Sequence, residues 1–393
     1  MAQDRNVSFR FSPALAAPHR HPHAVSLEFD YIVVGAGSAG AVLAARLSED
    51  PSVRVLLLEA GPPDRSFWIH LPIGYGKTMW DKRLNWAFST EPEPNLHDRR
   101  IYWPRGKVLG GSSSINGMLY LRGNPADYDG WAQMGCTGWS AADVLPFFRK
   151  SERRIGGEDD FRGRDGEMVV EDYRTILPLT HRFVKAAVEA GVPFSPDLNG
   201  AQPEGVGYSQ MSRNRRFRHS TARAFLHPAR RRDNLKIETN ALARRILLDG
   251  HRATGVEYER GGEIRRAQAR REVIVCGGSI NSPHLLQISG IGPAAHLHAI
   301  FAGIEAARLD QSGRVDPRLV RHDDRSKCEA FPDPVRFFGN DAHNPKLRVA
   351  HANLASDLEV QLFGQRRCNC DIGAGWPGSE SALRQAQSAI ERV

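Results

Sequence analysis

The sequence lacks both a long apolar stretch and a cysteine-rich framework. None of its apolar runs reaches the roughly 18 residues of a membrane-spanning helix, so no transmembrane segment is predicted. Five cysteines among 393 residues are too few for the disulfide framework of a small secreted protein. Cys368 and Cys370 stand close together, but no second cysteine pair or histidine pair lies at zinc-finger spacing. We therefore predict no metal site, and we find no internal repeats.

The first 26 residues also lack the continuous apolar core of a secretory signal. Their one apolar stretch, ALAA, is short and is surrounded by proline, histidine and arginine. We expect residues 1–26 to be a disordered tail, or the product of a start codon assigned too early. Without an export signal the expected location is the cytoplasm, with peripheral membrane association left open.

Positive charge is concentrated in one segment of an otherwise ordinary globular composition. The formal net charge is +8, and eight of the twenty residues at 213–232 are arginine. This segment is either a solvated surface or a surface that faces an anionic cofactor. No nucleic-acid-binding motif accompanies it, so we expect no nucleic-acid partner.

A strand–glycine–helix–strand pattern opens the foldable part of the chain. The apolar, β-branched run at 31–34 predicts a buried strand, the small apolar residues at 41–47 predict a helix, and residues 53–58 predict a second strand. Three glycines at G-x-G-x-x-G spacing lie between the first strand and the helix: Gly35, Gly37 and Gly40. This order predicts a βαβ unit that binds a dinucleotide, whereas the glycine motif alone would be weak support.

Each residue type in this pattern has a physical role. The three glycines permit a tight turn, a close approach of the backbone to a pyrophosphate, and close packing of helix on strand. The helix N-terminus near Ser38 offers free N–H groups to phosphates. Glu59, 24 residues after Gly35, is placed to accept hydrogen bonds from a ribose diol. The unit by itself does not distinguish NAD from FAD.

A second stretch rich in glycine and serine follows at 106–117. Gly110 and Gly111 would bring the backbone against the flavin side of the same dinucleotide, and Asn116 would offer its amide to a carbonyl or a ring nitrogen. Composition alone favours this cofactor-binding loop and a Gly/Ser-rich surface loop equally.

The chain resembles the glucose–methanol–choline (GMC) oxidoreductases, nearest to their choline dehydrogenase and alcohol dehydrogenase branch. Residues 106–129 match the first family signature and residues 277–292 match the second. The glycine-rich start matches the FAD-binding start of the family, and residues 220–258 resemble its segment that returns to the flavin domain. The likeness covers about 29–302.

The resemblance implies an α/β fold in which a Rossmann-like FAD-binding domain is joined to an incomplete antiparallel-sheet substrate domain. We expect the FAD domain at 27–150 and 222–305, part of the substrate domain at 151–221, and an irregular, poorly ordered tail at 306–393. The residues implied to line the flavin are Val108, Gly110, Gly111, Asn116, Gly117, Met118 and Leu119. Those implied near the adenine and the returning strand are Ala243, Gly277 and Gly278. Some relatives attach FAD through a histidine where this chain has Ile115, so we expect noncovalent FAD.

The implied activity is oxidation of a primary alcohol, such as choline or an aliphatic or aromatic alcohol, to an aldehyde. A base removes the hydroxyl proton, a hydride passes to flavin N5, and the electrons go on to a quinone or a carrier, or to oxygen in oxidases. An NAD-dependent dehydrogenase is the alternative enzyme, but it has no need of a second, flavin-facing loop.

The family pattern ends near residue 303, and the expected C-terminal catalytic histidine pair is missing. His322, His343 and His351 stand in no family context, so no catalytic residue is assigned. We expect a frameshift or a truncated gene near this point. The chain would then be inactive, and a noncatalytic remnant that binds FAD is the alternative function.

Overall fold

The computed structural model describes residues 27–156, 160–293, 296–297 and 347–349. The predicted tail at 1–26 lies outside the described residues, as do Cys368, Cys370 and the three histidines His322, His343 and His351. Within the stretch expected to be irregular, residues 347–349 form a short strand.

The strands in chain order are β1 Leu27–Val34, β2 Val55–Leu58, β3 Phe88–Ser89, β4 Tyr102–Trp103, β5 Leu119–Tyr120, β6 Glu152–Arg154, β7 Met168–Val170, β8 Gln210–Met211, β9 Arg213–Asn214, β10 Phe217–Arg218, β11 Leu235–Glu238, β12 Ala241–Asp249, β13 Arg252–Arg260, β14 Glu263–Val275 and β15 Leu347–Val349. The α-helices are α1 Ser38–Leu47, α2 Phe67–His70, α3 Tyr75–Thr78, α4 Pro125–Gln133, α5 Ala141–Ser151, α6 Pro178–Glu189, α7 His227–Ala229 and α8 Gly278–Ile288. Short 3-10 turns occupy Pro72–Gly74, Pro94–Leu96 and Gly111–Ser114, and a π-helical turn occupies Ala222–Leu226.

A seven-stranded sheet organises the described residues, in the order β11-β2-β1-β14-β13-β12 with β15 beside β14. Strands β11, β2, β1 and the end of β14 run parallel, whereas β12, β13 and the start of β14 are antiparallel. Val34 pairs with Leu58 in β2 and with Val275 in β14. The three strands therefore end at one edge of the sheet, which is where an open α/β sheet binds its ligands.

Both faces of the parallel strands are covered, which explains their continuous apolar sequences. On one face Val33 and Leu57 pack against α1 and the helical segment at 222–229. On the other face Ile32 and Leu56 pack with Leu285 and Leu286 of α8. Fully burying an aliphatic side chain contributes about 1.5–3 kcal/mol, so these two clusters supply much of the stability.

The parallel βαβ core confirms the α/β, Rossmann-like fold class. Beyond it, β5 pairs with β8, β6 with β7 and β9 with β10, near helices α4, α5 and α6. Strands β6 to β10 and helix α6 lie within 151–221, the range expected to be part of a substrate domain, whereas β5, α4 and α5 begin before it in the chain. Among the described helices, none has both the length and the apolar character required to cross a membrane.

The sequence-based bounds of several elements needed correction. Strand β1 begins at Leu27, four residues before the predicted run, and β2 begins two residues later than predicted, at Val55. Helix α6, predicted within residues 179–194 with Gly191 and Pro193 as its stop signals, ends at Glu189. Gly191 takes a left-handed φ of 93°, and its N–H donates to the Val188 carbonyl. A left-handed glycine just past the last turn terminates the helix earlier than Pro193 would.

Candidate dinucleotide site

The first glycine turn lies against the end of strand β14. The Gly35 N–H donates to the Leu58 carbonyl at 2.8 Å. A β-carbon added to Gly35 would stand 2.5 Å from the Cys276 carbonyl oxygen and 3.3 Å from the Gly277 Cα. The turn after β1 and the turn after β14 are therefore in backbone contact, and no larger residue fits at position 35.

Helix α1 begins at Ser38 directly after this turn and packs closely on it. A β-carbon on Gly40 would collide with the Gly35 carbonyl, which explains the third glycine of the motif. No side chain caps the N-terminus of α1, and no acidic residue lies in its first turn. Its N–H groups and partial positive charge are thus available to an anionic ligand such as a pyrophosphate.

Glu59 follows β2 and is almost completely buried, with 6% of its surface exposed. Its Oε2 accepts from the Ala36 N–H at 2.9 Å and its Oε1 accepts from the Gly61 N–H at 2.8 Å. Burial raises the pKa of Glu59 to about 7, against the opposing effect of these two hydrogen bonds. Each carboxylate oxygen can accept a second hydrogen bond, so the group can also hold the hydroxyls of a ribose.

The second glycine-rich stretch meets the first, as the flavin interpretation requires. The Gly110 N–H donates to the Ala36 carbonyl at 2.8 Å. Gly111 takes a left-handed φ of 52°, and a β-carbon added there would stand 2.6 Å from the Gly37 Cα. The two loops are in backbone contact, which a free surface loop would not need.

Hydrogen bonds fix the second loop to a segment about a hundred residues later in the chain. The Ser113 hydroxyl donates to the Gly110 carbonyl at 2.6 Å and accepts from the Thr221 N–H at 3.0 Å. Ile115 is buried in a cluster with Ile69 and Val108. An aliphatic side chain at this position cannot form a covalent bond to a cofactor.

The end of the loop has an unusual backbone at Met118, a buried non-glycine residue with φ of 66°. Its N–H donates to Asn116 Oδ1 at 3.1 Å, and its carbonyl accepts from the Ser212 N–H at 2.9 Å. Gly117 lies between these two residues, and Leu119 pairs with Met211. A strained conformation held by such contacts is typical of a ligand-binding position.

The remaining predicted residues lie along the same edge of the sheet. Gly277 precedes α8, which begins at Gly278. On the other side of Glu59, the Ala241 N–H donates to the Glu59 carbonyl at 2.8 Å, and Ala243 lies two residues further along β12.

Arg218 is a neighbour of this site that the sequence interpretation did not identify. It belongs to the arginine-rich segment, yet only 1% of its surface is exposed. Its Nε donates to the Ile69 carbonyl at 2.8 Å, and its Nη1 donates to Asn116 Oδ1 at 2.7 Å and to the Ser113 carbonyl at 3.1 Å. The available signal was its position two residues before the segment at 220–258 that resembles the family.

A buried ionic network beyond the loop was also missed. Arg162 donates to Asp197 Oδ1 at 2.8 Å and to Glu152, which in turn accepts from Arg122. Arg162 and Glu152 are completely buried. Nothing in their sequence pattern separated them from the solvated charges on either side.

The residues of this edge fit a dinucleotide such as FAD. They combine two opposed glycine backbones, an uncapped helix N-terminus, a buried carboxylate with spare acceptor capacity and the amide of Asn116. A β-carbon at Gly111 would fill the place where the two loops meet, so the geometry itself requires glycine at position 111.

Comparison with known proteins agrees with this geometry. The family profile described as GMC oxidoreductase matches residues 29–322. Mitochondrial choline dehydrogenase of Mus musculus is 48% identical over 280 residues, which is 70% of this chain and 47% of that protein. Oxygen-dependent choline dehydrogenase of Burkholderia multivorans is 51% identical over 275 residues, which is 69% of this chain and 49% of that protein. The chain thus spans about half the length of the curated relatives it matches.

Solved structures show the same relationship. Pyridoxine 4-oxidase from Mesorbium loti superposes with a TM-score of 0.66 and 33% identity, covering 69% of this chain and 53% of that one. An FAD-dependent oxidoreductase from Chaetomium thermophilum gives a TM-score of 0.65 and 31% identity, covering 70% of this chain and 49% of that one. The profile match, the contact between the two glycine loops and these structural neighbours all agree. The chain therefore belongs to the GMC oxidoreductase family.

Proposed function

We propose that this chain binds FAD noncovalently along the edge where β1, β2 and β14 end, and that the bound FAD serves the oxidation of a primary alcohol. The observation that carries the proposal is the backbone contact between Gly37 and Gly111. It joins the pyrophosphate turn to the loop that faces the flavin in the family. An NAD-dependent enzyme with the same βαβ unit would have no use for this second loop.

The roles of the site residues follow from their positions. Gly35, Gly37, Gly40 and the helix start at Ser38 would hold the pyrophosphate, and Glu59 would accept from the ribose. The proposed flavin-side residues are Val108, Gly110, Gly111, Asn116, Gly117, Met118 and Leu119. The backbone of Ala243 would contact the adenine side, and Gly277 and Gly278 would close the site at the returning strand.

Bound FAD would supply the redox chemistry by accepting a hydride from the carbon that carries the alcohol hydroxyl. The chain's own residues orient and enclose the group. Val108 and Ile115, which pack together, would exclude water from one side of the loop. The Asn116 amide would donate a hydrogen bond, because its oxygen is already engaged by two donors.

The substrate class comes from the relatives, several of which are named choline dehydrogenases. We propose a primary alcohol, with choline as the first to be tested and a quinone or a carrier as the electron acceptor. Noncovalent binding is supported by Ile115, which has no nucleophilic atom.

The described residues offer no evident base for the hydroxyl proton. His219, next to Arg218, has an Nδ1 that already accepts from the Val169 N–H at 3.2 Å. Burial, together with the nearby charge of Arg223, lowers the pKa of His219 to about 4. Because a missing general base typically costs about 100- to 10,000-fold in rate, we propose that this chain alone binds FAD but turns over alcohol slowly or not at all.

Anaerobic flavin bleaching tests the proposal. The purified chain is loaded with FAD, mixed with choline or a primary aliphatic alcohol, and followed by its absorbance near 450 nm and by a dye acceptor. Tetramethylammonium, which lacks a hydroxyl, is the control. We expect a yellow protein that bleaches with dithionite and at most slowly with alcohol. Rapid bleaching by alcohol would overturn the proposed lack of catalysis, and failure to retain FAD would overturn the proposed cofactor site.

A further inference from the structure

Arg218 is a buried cation without a counter-charge among the described residues. Its guanidinium donates only to two carbonyls and to the amide oxygen of Asn116, and no described carboxylate forms an ion pair with it. Burial alone lowers the pKa of Arg218 to about 10, which still leaves it protonated at neutral pH. Keeping an unpaired cation out of water is unfavourable unless another partner offsets it.

The third nitrogen of the guanidinium points to where that partner binds. Nη2 of Arg218 is buried and has no acceptor among the described residues. Nη1 holds the loop at Ser113 and Asn116, which is the loop proposed to face the flavin, and Nε donates to the Ile69 carbonyl. An unused, charged donor at this place fits a ligand that carries acceptor oxygens or negative charge.

The same residue fixes the orientation of Asn116. Arginine and a backbone N–H have no acceptor atom, so the side-chain atom of Asn116 that faces both of them must be its oxygen. Arg218 Nη1 lies at 2.7 Å from that oxygen and the Met118 N–H at 3.1 Å. The amide NH₂ is therefore turned away from both donors, and no described residue accepts from it. A positive charge behind the oxygen also polarises the amide and strengthens the NH₂ as a donor.

We propose that Arg218 is a positioning residue of the flavin loop, which turns the Asn116 NH₂ towards the cofactor and favours the negatively charged, reduced cofactor over the neutral, oxidised one. This inference rests on the proposed FAD site. Hydride transfer from the alcohol would bring two electrons and one proton to the flavin ring, which would thereby gain one negative charge. The hydroxyl proton of the alcohol would pass to water, and the alcohol would become the aldehyde. A nearby buried cation with no other counter-charge stabilises that gain.

The test compares Arg218→Met with Arg216→Met. Arg216 is two residues away, in the exposed turn between β9 and β10, and serves as the matched control. Both full-length variants are loaded with FAD and titrated with dithionite against a reference dye, and oxidised FAD affinity is measured by fluorescence. We expect Arg218→Met to weaken binding of reduced FAD at least about tenfold more than binding of oxidised FAD, which lowers the midpoint potential by about 30 mV.

A second variant covers the case in which Arg218→Met does not fold. Asn116→Asp keeps an oxygen for Arg218 but adds a negative charge and removes the NH₂, so the midpoint potential should fall in the same direction. A purely structural role for Arg218 would leave the ratio of the two affinities unchanged.

The outcomes separate the two proposals. Unchanged potentials in both Arg218→Met and Asn116→Asp, with FAD still bound, would overturn the role of Arg218 and leave the FAD site intact. An equal drop in Arg216→Met would also overturn it, because the effect would then be one of net charge. A wild-type chain that binds no FAD would overturn the proposed function and this inference together.

Discussion

The backbone of Gly111 lies directly against that of Gly37, so that a β-carbon on Gly111 would stand 2.6 Å from the Gly37 Cα. The two residues are far apart in sequence and belong to different glycine-rich loops. Real β-carbons do not approach a Cα atom so closely, so any larger residue at position 111 must push the loops apart. The close approach of the two loops therefore requires glycine at position 111.

Gly111→Ala should reduce FAD affinity by at least about tenfold, because the loops must separate where the cofactor binds. The matched control is Gly250→Ala. Gly250 has nearly the same left-handed backbone, φ 55° against 52° for Gly111, but open space where the β-carbon would go. Both variants should lose about 1–2 kcal/mol of stability from backbone strain in chemical unfolding, and Gly111→Ala should lose more because its β-carbon also clashes with Gly37. Equal FAD affinity in the two variants would contradict the proposed role of the loop contact.

Glu59 should couple FAD binding to proton release. Its carboxyl has a pKa raised to about 7 by burial, so in the absence of ligand it is largely protonated below that pH. Ribose hydroxyls that donate to the carboxylate favour the ionised form. FAD affinity should therefore rise as the pH increases from about 5.5 to 7 and level off above it.

Titrations of FAD at a series of pH values measure this effect. Glu59→Gln should bind more weakly and lose the pH dependence, whereas Glu49→Gln, on an exposed side chain, should retain it. In the protein without FAD the raised pKa has the opposite consequence. The stability contributed by Glu59 should be fully present below about pH 4.5 and be lost as the pH rises through about 7. An affinity for FAD that falls with pH over this range would contradict the role of Glu59.

His219 should make the fold sensitive to acid. Burial lowers its pKa to about 4, below the ordinary 6.5, and its Nδ1 accepts from the Val169 N–H. The unfolded chain thus binds a proton that the folded chain excludes between these two values. The stability contributed by the neutral ring is fully present above pH 6.5 and is lost as the pH falls towards 4, by up to about 3 kcal/mol. His219→Asn keeps an acceptor without the titration, so its urea unfolding midpoint should fall less steeply with acid than that of the wild type.

Arg162→Met should destabilise the fold by about 3–5 kcal/mol, because it leaves two buried carboxylates short of a partner. Glu152 would retain Arg122 and the Gly163 N–H but lose its closest cation, and Asp197 would lose its contact with Arg162 at 2.8 Å. Arg83→Met, which removes an exposed pair with Asp81, should leave the unfolding midpoint unchanged. Similar midpoints for the two variants would mean that the buried network carries little energy.

The sequence was sufficient to predict features that local spacing determines. The turn at Gly35, the helix after it and the acid at Glu59 follow from one short stretch, and their placement at one edge follows from strand pairing. Arg218 was not predicted because its partner Asn116 lies 102 residues earlier, and charge alone suggests a solvated side chain. The same limit applies to Arg162 and Asp197, which are 35 residues apart. The end of α6 follows from a local stop signal, because Gly191 takes the left-handed backbone that terminates a helix.

The most direct test of the central claim is a calorimetric titration of the cofactor-free chain with FAD and, separately, with NAD. The two glycine loops in contact predict one FAD bound per chain, weakened at least about tenfold in Gly111→Ala but not in Gly250→Ala, and little or no binding of NAD. A chain that binds NAD as well as FAD, or that binds FAD equally well with alanine at position 111, would contradict the assignment of the second loop to the flavin.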